Sequence, residues 1–135
     1  MSSNLNSARD VARAAVAILI EKKAIDVRLF DVGSANPITD FYINATGRSH
    51  SQVASLADEL RDKLFEMGVD AVRIEGKRGD PWILVDYGDV IINVFDRESR
   101  EFYNLDRLIP AECGVDISDI ISEVDKKFEI KNIEE

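Results

Sequence analysis

The run from Trp82 to Phe95, Trp-Ile-Leu-Val-Asp-Tyr-Gly-Asp-Val-Ile-Ile-Asn-Val-Phe, restricts the fold more than any other part of this chain. Trp82 to Tyr87 and Val90 to Phe95 read as strands, and Gly88-Asp89 between them has the length of a tight hairpin turn, although Asp-Gly would be the more diagnostic order. Strand alternation puts Trp82, Leu84 and Asp86 on one face and Ile83, Val85 and Tyr87 on the other, so both faces carry large apolar groups. Either the fold covers both faces or one of them is a contact surface. In the first case this is an ordinary buried strand. In the second, Trp82 and Tyr87 are interface anchors, and Asp89 near the turn pairs with a basic partner.

The elements on either side favour layers of helix and sheet. Ser7 can cap a helix on which Val11, Ala14, Ala15 and Ile18 recur at helical spacing, up to the charged stop Glu21-Lys22-Lys23. A strand then runs from about Ile25 to Val32, and Gly33-Ser34-Ala35-Asn36-Pro37 has the chemistry of a turn. A second strand begins at Phe41 and ends near Gly47. Ser49 or Ser51 can cap the next helix, where Val53, Leu56, Ala57, Leu60, Leu64 and Met67 share one face and Gly68 stops it. Val69 to Ile74 reads as a strand, the polar segment from Glu75 to Pro81 as a loop, Arg97 to Tyr103 as a short helix, and Leu105 to Ile109 as a closing turn. The order αββαβββ implies an α/β fold: a mixed five-stranded sheet with helices packed on it, in a single domain over residues 1–110.

Residues 111–135 form an acidic extension, expected to be an amphipathic helix capped by Asp116, with Ile117, Ile120, Ile121, Val124 and Phe128 on one stripe. That stripe must be buried on this chain's own body, on a second subunit or on another partner. The extension also dominates the charge. Of the net −9, it contributes −5 (8 acids against 3 lysines), while residues 1–110 contribute −4 (18 acids against 14 bases). An acidic chain is a poor general binder of nucleic acid, where Lys and Arg must neutralise phosphate. The single Cys113 and single His50 exclude an internal disulfide and multi-cysteine or multi-histidine metal sites. The start of the chain does not read as a targeting leader. The early apolar stretch Ala14 to Ile20 is far short of the roughly 20 residues that span a membrane, so a cytoplasmic protein is expected.

Candidate chemistry is sparse. Gly76-Lys77-Arg78-Gly79 lacks the long spacing and the Lys-Ser/Thr ending of a phosphate loop. Gly33-Ser34 followed by Asp40 looks like the opening of a nucleotidyltransferase pattern, in which two same-face acids hold a metal pair. The second acid is replaced by Tyr42, a poor ligand for a hard cation, and Asp86, Asp89 and Asp96 remain as possible substitutes. A metal-dependent nucleotidyltransferase is therefore the alternative function, and an oligomeric scaffold a third.

Four separated motifs, Asp40 to Gly47, Val72 to Gly76, Trp82 to Asp96 and Glu101 to Leu108, resemble in order and spacing the ribosomal silencing factor family, also called Iojap or RsfS. The resemblance covers about residues 8 to 109 and leaves the acidic extension outside. It implies a nucleotidyltransferase-like fold, no enzymatic activity, no cofactor and no membrane or sequence-specific nucleic-acid binding. It also implies binding to the large ribosomal subunit through ribosomal protein L-fourteen, a steric block to subunit joining, repression of translation, and a homodimer when free. Trp82 matches the family's contact tryptophan, and Tyr87, Gly88 and Asp89 match the adjacent motif at or near the contact surface. Two positions depart from the pattern: Asn93 stands where the family commonly has His, and Ile109 replaces a frequent Trp.

Overall fold

The computed structural model describes residues 5, 7–33 and 36–134. The expected turn at Gly33-Ser34-Ala35 lies outside these residues at Ser34 and Ala35. Helix α1 spans Ala8–Glu21, and the Ser7 side chain accepts from the Asp10 backbone N–H as its N-cap. Strands β1 (Ile25–Asp31) and β2 (Phe41–Gly47) pair antiparallel, with a register shift between Ile25 and Arg28 where Asp26 takes φ +47°. Helix α2 (His50–Glu66) is capped by Ser49, and Gly68 at φ +88° follows it. Strands β3 (Arg73–Glu75), β4 (Trp82–Asp86) and β5 (Val90–Asp96) follow, then α3 (Arg97–Tyr103), 3-10 turns at Leu105–Leu108 and Ala111–Cys113, β6 (Gly114–Val115) and α4 (Ser118–Glu134).

The sheet is mixed, in the order β3-β4-β5-β2-β1-β6, with β2 and β5 parallel and the other pairs antiparallel. It has six strands where five were expected. The additional one comes from the segment after Pro110: Gly114 and Val115 pair with Phe30 and Leu29. Two residues are too few for an alternation signal, which is why the pattern concealed them. Strand β3 is shorter than Val69 to Ile74: Arg73, Ile74 and Glu75 pair with β4, and Val72 adds a single N–H bond to the Asp86 carbonyl.

Helices α1, α2 and α4 lie on one face of the sheet. Their apolar stripes meet Leu29, Ile43, Ala45, Ile83, Val85, Val90, Ile92 and Val94 in one core. From α4 this core receives Ile120 and Val124, both buried, with Ile117 and Phe128 packed against it. Ile121 stays 41% exposed, on the flank of the stripe, so it does not share the burial expected for it. Asp116 accepts from the Ser118 backbone N–H where the helix starts. An ion pair between Arg13 and Asp119 and the Lys23 ammonium 4.2 Å from the Phe128 ring centre further hold α4 to the region of α1. The acidic segment is thus folded onto the body.

Candidate functional site: the open face of the sheet

The second face of the sheet carries Trp82, Leu84 and Asp86 from β4, Ile91, Asn93 and Phe95 from β5, and Tyr42, Asn44 and Thr46 from β2. The register places them in rows. Among the described residues, the short α3 and the turns after it lie against this side; Ile91, Asn93, Phe95, Asn44 and Thr46 are buried, and Trp82, Leu84, Asp86 and Tyr42 stay partly exposed. Asn104 ends α3 in the left-handed conformation, φ +46°, and the 3-10 turn that follows brings Asp106 back onto the strands.

Polar residues on this face are joined end to end. The Trp82 indole Nε1–H donates to Asn93 Oδ1 at 3.0 Å, Asn93 Nδ2 donates to Asn44 Oδ1 at 3.1 Å, and Asn44 Nδ2 donates to Asp106 Oδ1 at 2.5 Å. The other Asp106 oxygen receives Arg100 Nη2 at 2.8 Å, and Arg100 Nη1 donates to Thr46 Oγ1 at 2.9 Å. Asp26 sits 3.6 Å from the same guanidinium and also holds Arg28. Asn44, Asn93 and Thr46 are 1%, 2% and 4% exposed, so unpaired amides and hydroxyl here would be costly; each has its partner.

Beside this chain lies an aromatic and aliphatic surface. Trp82 is half-buried, with its ring centre 5.0 Å from fully buried Phe95 and 4.9 Å from Tyr103, which in turn meets Phe102 edge-on at 5.1 Å. Phe102 is 79% exposed and Leu108 71%, an unusual outlay of large apolar side chains for a surface facing only water. A cavity of about 240 Å³ opens between the two amides, Tyr42, Leu105 and Leu108.

Of the residues expected to form the partner site, Trp82 lies on this surface, while Tyr87, Gly88 and Asp89 do not. Tyr87 follows β4 at the end away from Trp82, roughly 16 Å along the strand at the usual rise per residue. It points to the helix side and packs against the core. Its hydroxyl is buried with no hydrogen-bond partner among the described residues, and burial pushes its pKa up to about 12, with nearby Asp70 adding to the shift and Arg61 opposing it. Gly88 takes φ +87° at the first central position of the hairpin, which the Tyr87 N–H to Val90 carbonyl bond closes. Asp89 is exposed, and its carbonyl accepts from the Asp40 and Phe41 backbone N–H groups. Trp82 therefore stands on one face, and Tyr87 with its turn at the opposite end.

Two of the acids weighed as metal ligands, Asp86 and Asp96, have other tasks. Asp86 accepts from the Gly88 N–H and lies 3.5 Å from Arg73; Asp96 caps α3 through the Ser99 N–H and meets His50 Nε2 at 2.8 Å. The Gly76–Gly79 loop is closed by Asp80, which accepts from the Lys77 N–H, while Arg78 pairs with Asp58. Sequence reasoning missed Asn44, Thr46, Arg100 and Asp106 as a group. Their signal was a polar amide in the middle of two otherwise apolar runs, Tyr-Ile-Asn-Ala and Ile-Ile-Asn-Val, both falling on one face.

The family model described as "Ribosomal silencing factor during starvation" matches residues 5–134. The chain belongs to the ribosomal silencing factor family. The match takes in the acidic segment, which the motif-level resemblance had left outside. Among relatives, the ribosomal silencing factor RsfS of Halalkalibacterium halodurans is 33% identical over 86% of this chain and 99% of its own length. The RsfS of Haemophilus influenzae is 38% identical over 64% of this chain and 84% of its own. The chloroplastic Iojap protein of Zea mays is 32% identical, with 76% of this chain and 42% of that longer protein covered. A solved structure from Chromobacterium violaceum matches with a TM-score of 0.74 at 33% identity, covering 77% of this chain and 87% of that one. One from Bacillus halodurans gives 0.70 at 32%, covering 80% and 98%. Relatives named ribosomal silencing factors thus provide the likeness in sequence, and the two solved structures the likeness in fold.

Proposed function

We propose that this chain is a cytoplasmic translation repressor that docks on the large ribosomal subunit through ribosomal protein L-fourteen, blocks joining of the small subunit by occupying its place, and is a homodimer when free. Family membership supports the ribosomal assignment. The observation that carries the choice of surface is the open-face aromatic cluster in which half-buried Trp82 meets exposed Tyr103, and Tyr103 meets exposed Phe102. Tryptophan and tyrosine anchors at the centre of an interface give the largest share of binding energy, and about 800 Å² per partner suffices for a stable complex. An acidic body suits a basic ribosomal protein and is repelled by the surrounding RNA phosphates.

In this reading the expected contact residues divide their roles. Trp82 is the anchor, the Gly88-Asp89 turn at the far end of β4 is a separate acidic contact, and Tyr87 supports that turn from inside. Steric exclusion needs no bond chemistry, so the function is occupancy and not catalysis, with no cofactor. Sedimentation of lysate on a sucrose gradient tests the whole reading: the protein is expected with free large subunits and absent from joined ribosomes. Co-migration with joined ribosomes, or with neither fraction, would reject it. Asp89→Lys is expected to weaken docking on the isolated ribosomal protein, and unchanged binding removes the turn from the interface.

A further inference from the structure

We infer that Asn93 is a positioning residue for the Trp82 indole, anchored through Asn44 to the Asp106–Arg100 ion pair, so that the docking side chain is held in one orientation before any partner arrives. The consequence at the ribosome rests on the docking reading above; the positioning itself does not.

The chemistry of the chain of bonds permits only one arrangement. An indole N–H can only donate and a carboxylate can only accept. Asn93 must therefore turn its oxygen to Trp82, which leaves its NH₂ for Asn44. Asn44 must turn its NH₂ to Asp106, which leaves its oxygen for Asn93. The observed bonds of 3.0, 3.1 and 2.5 Å follow this sequence without a break. Reversing either amide would set two donors or two acceptors against each other in a region where Asn44 and Asn93 are 1% and 2% exposed. Arg100 holds the accepting end, with one nitrogen on Asp106 and another on Thr46.

Ring contacts alone would not do this. Phe95 and Tyr103 flank the indole at 5.0 and 4.9 Å, but flat apolar contacts favour no particular edge of the ring. The directed N–H bond selects which edge is turned inward and hence which is shown to a partner. Ordering a long side chain on association carries a cost, and a ring fixed beforehand avoids it, an advantage of up to about tenfold in affinity.

Trp82 is the only tryptophan, so every indole signal reports on it. In the unaltered free protein, its Nε1 proton is expected to exchange with solvent far more slowly than that of a free indole; rapid exchange would overturn the inference. In Asn93→Leu, which keeps comparable bulk without the amide, the fluorescence anisotropy decay should gain a fast component, and large-subunit binding should fall about tenfold. An unchanged anisotropy decay in a folded Asn93→Leu protein would also overturn it. Adding Asn93→Leu to Trp82→Phe, which keeps a ring but has no N–H, should cause no further loss; an equal loss in both backgrounds would mean that Asn93 acts only on the sheet. Should Asn93→Leu fail to fold, the exchange measurement decides by itself. Normal binding by Trp82→Ala would instead reject the docking reading, while exchange and anisotropy in the free protein still judge the positioning.

Discussion

Trp82 and Tyr87 come from one strand and the turn that ends it, yet the Trp82 N–H finds Asn93 on the open face while the Tyr87 hydroxyl is enclosed on the helix side with no partner among the described residues. Their substitutions should therefore separate cleanly. Trp82→Ala is expected to cost about 2 kcal/mol or more of large-subunit affinity, measured by binding to purified subunits. Tyr87→Phe removes only the unpaired hydroxyl, so binding should be unchanged and stability equal or raised by about 1 kcal/mol in urea unfolding. The raised tyrosine pKa has a second consequence. Its contribution to stability is fully present below the ordinary value of 10.0 and is lost as pH rises through about 12. Tyr87→Phe should flatten that alkaline limb, and an unaltered limb would show that another group controls it.

The loop before β4 gives a paired test of backbone geometry. Gly76 and Gly79 have almost the same φ, +99° and +98°, but a Cβ on Gly76 would lie 2.7 Å from the Trp82 carbonyl oxygen, whereas one on Gly79 meets nothing within 4 Å. Gly79→Ala should cost only the conformational strain, about 1–2 kcal/mol. Gly76→Ala should cost about 3 kcal/mol or more, since strain and a clash with backbone combine, and should alter the Trp82 emission spectrum as the start of β4 shifts. Equal losses in thermal unfolding would contradict this difference.

Asp96 should contribute to acid sensitivity. Burial alone would raise its pKa, but hydrogen bonds from Ser99 and His50 outweigh burial and hold the carboxyl below its usual 3.8. A carboxylate lowered by folding gives stability that is present above the usual value and lost as pH falls through the lowered one. Asp96→Asn keeps a side-chain oxygen for the α3 cap and cannot titrate. The urea midpoint of that variant should fall less steeply than wild type below about pH 4; identical slopes would refute the assignment.

The register of α4 can be checked by placing a charge at neighbouring positions. Val124 is 4% exposed in the core and Ile121 is 41% exposed beside it. Val124→Asp should destabilise by about 3 kcal/mol or more, and Ile121→Asp by about 0.5 kcal/mol or less. Similar effects from the two changes would mean that α4 packs differently.

What could be read from residues alone depended on how local the causes were. Ser7 and Ser49 mark helix starts through side-chain bonds to residues three further along, and the Gly88 hairpin is closed within four residues, so these features were legible. The helix stripes and the two-faced β4 were legible because their periods repeat several times. Strand β6 was not, since its two residues become a strand only by meeting Phe30 and Leu29 from far earlier in the chain. The polar network was hidden for the same reason: Asn44 and Asn93 lie 49 residues apart and Asp106 is 62 from Asn44. Tyr87 joins Trp82 in the expected partner site through the family motif that the two share. Strand parity already put them on opposite faces, and the fold gives each its own environment.

The ends of the sheet also limit how this molecule can meet others. Its outer strands are β3, three residues with Arg73 and Glu75 charged and exposed, and β6, two residues including a glycine. Strands so brief offer few free backbone groups for another chain to extend, so growth of the sheet from molecule to molecule is disfavoured. Contacts made through side chains are then favoured over strand addition, and their selectivity comes from shape and ring placement instead of from a ladder of main-chain bonds.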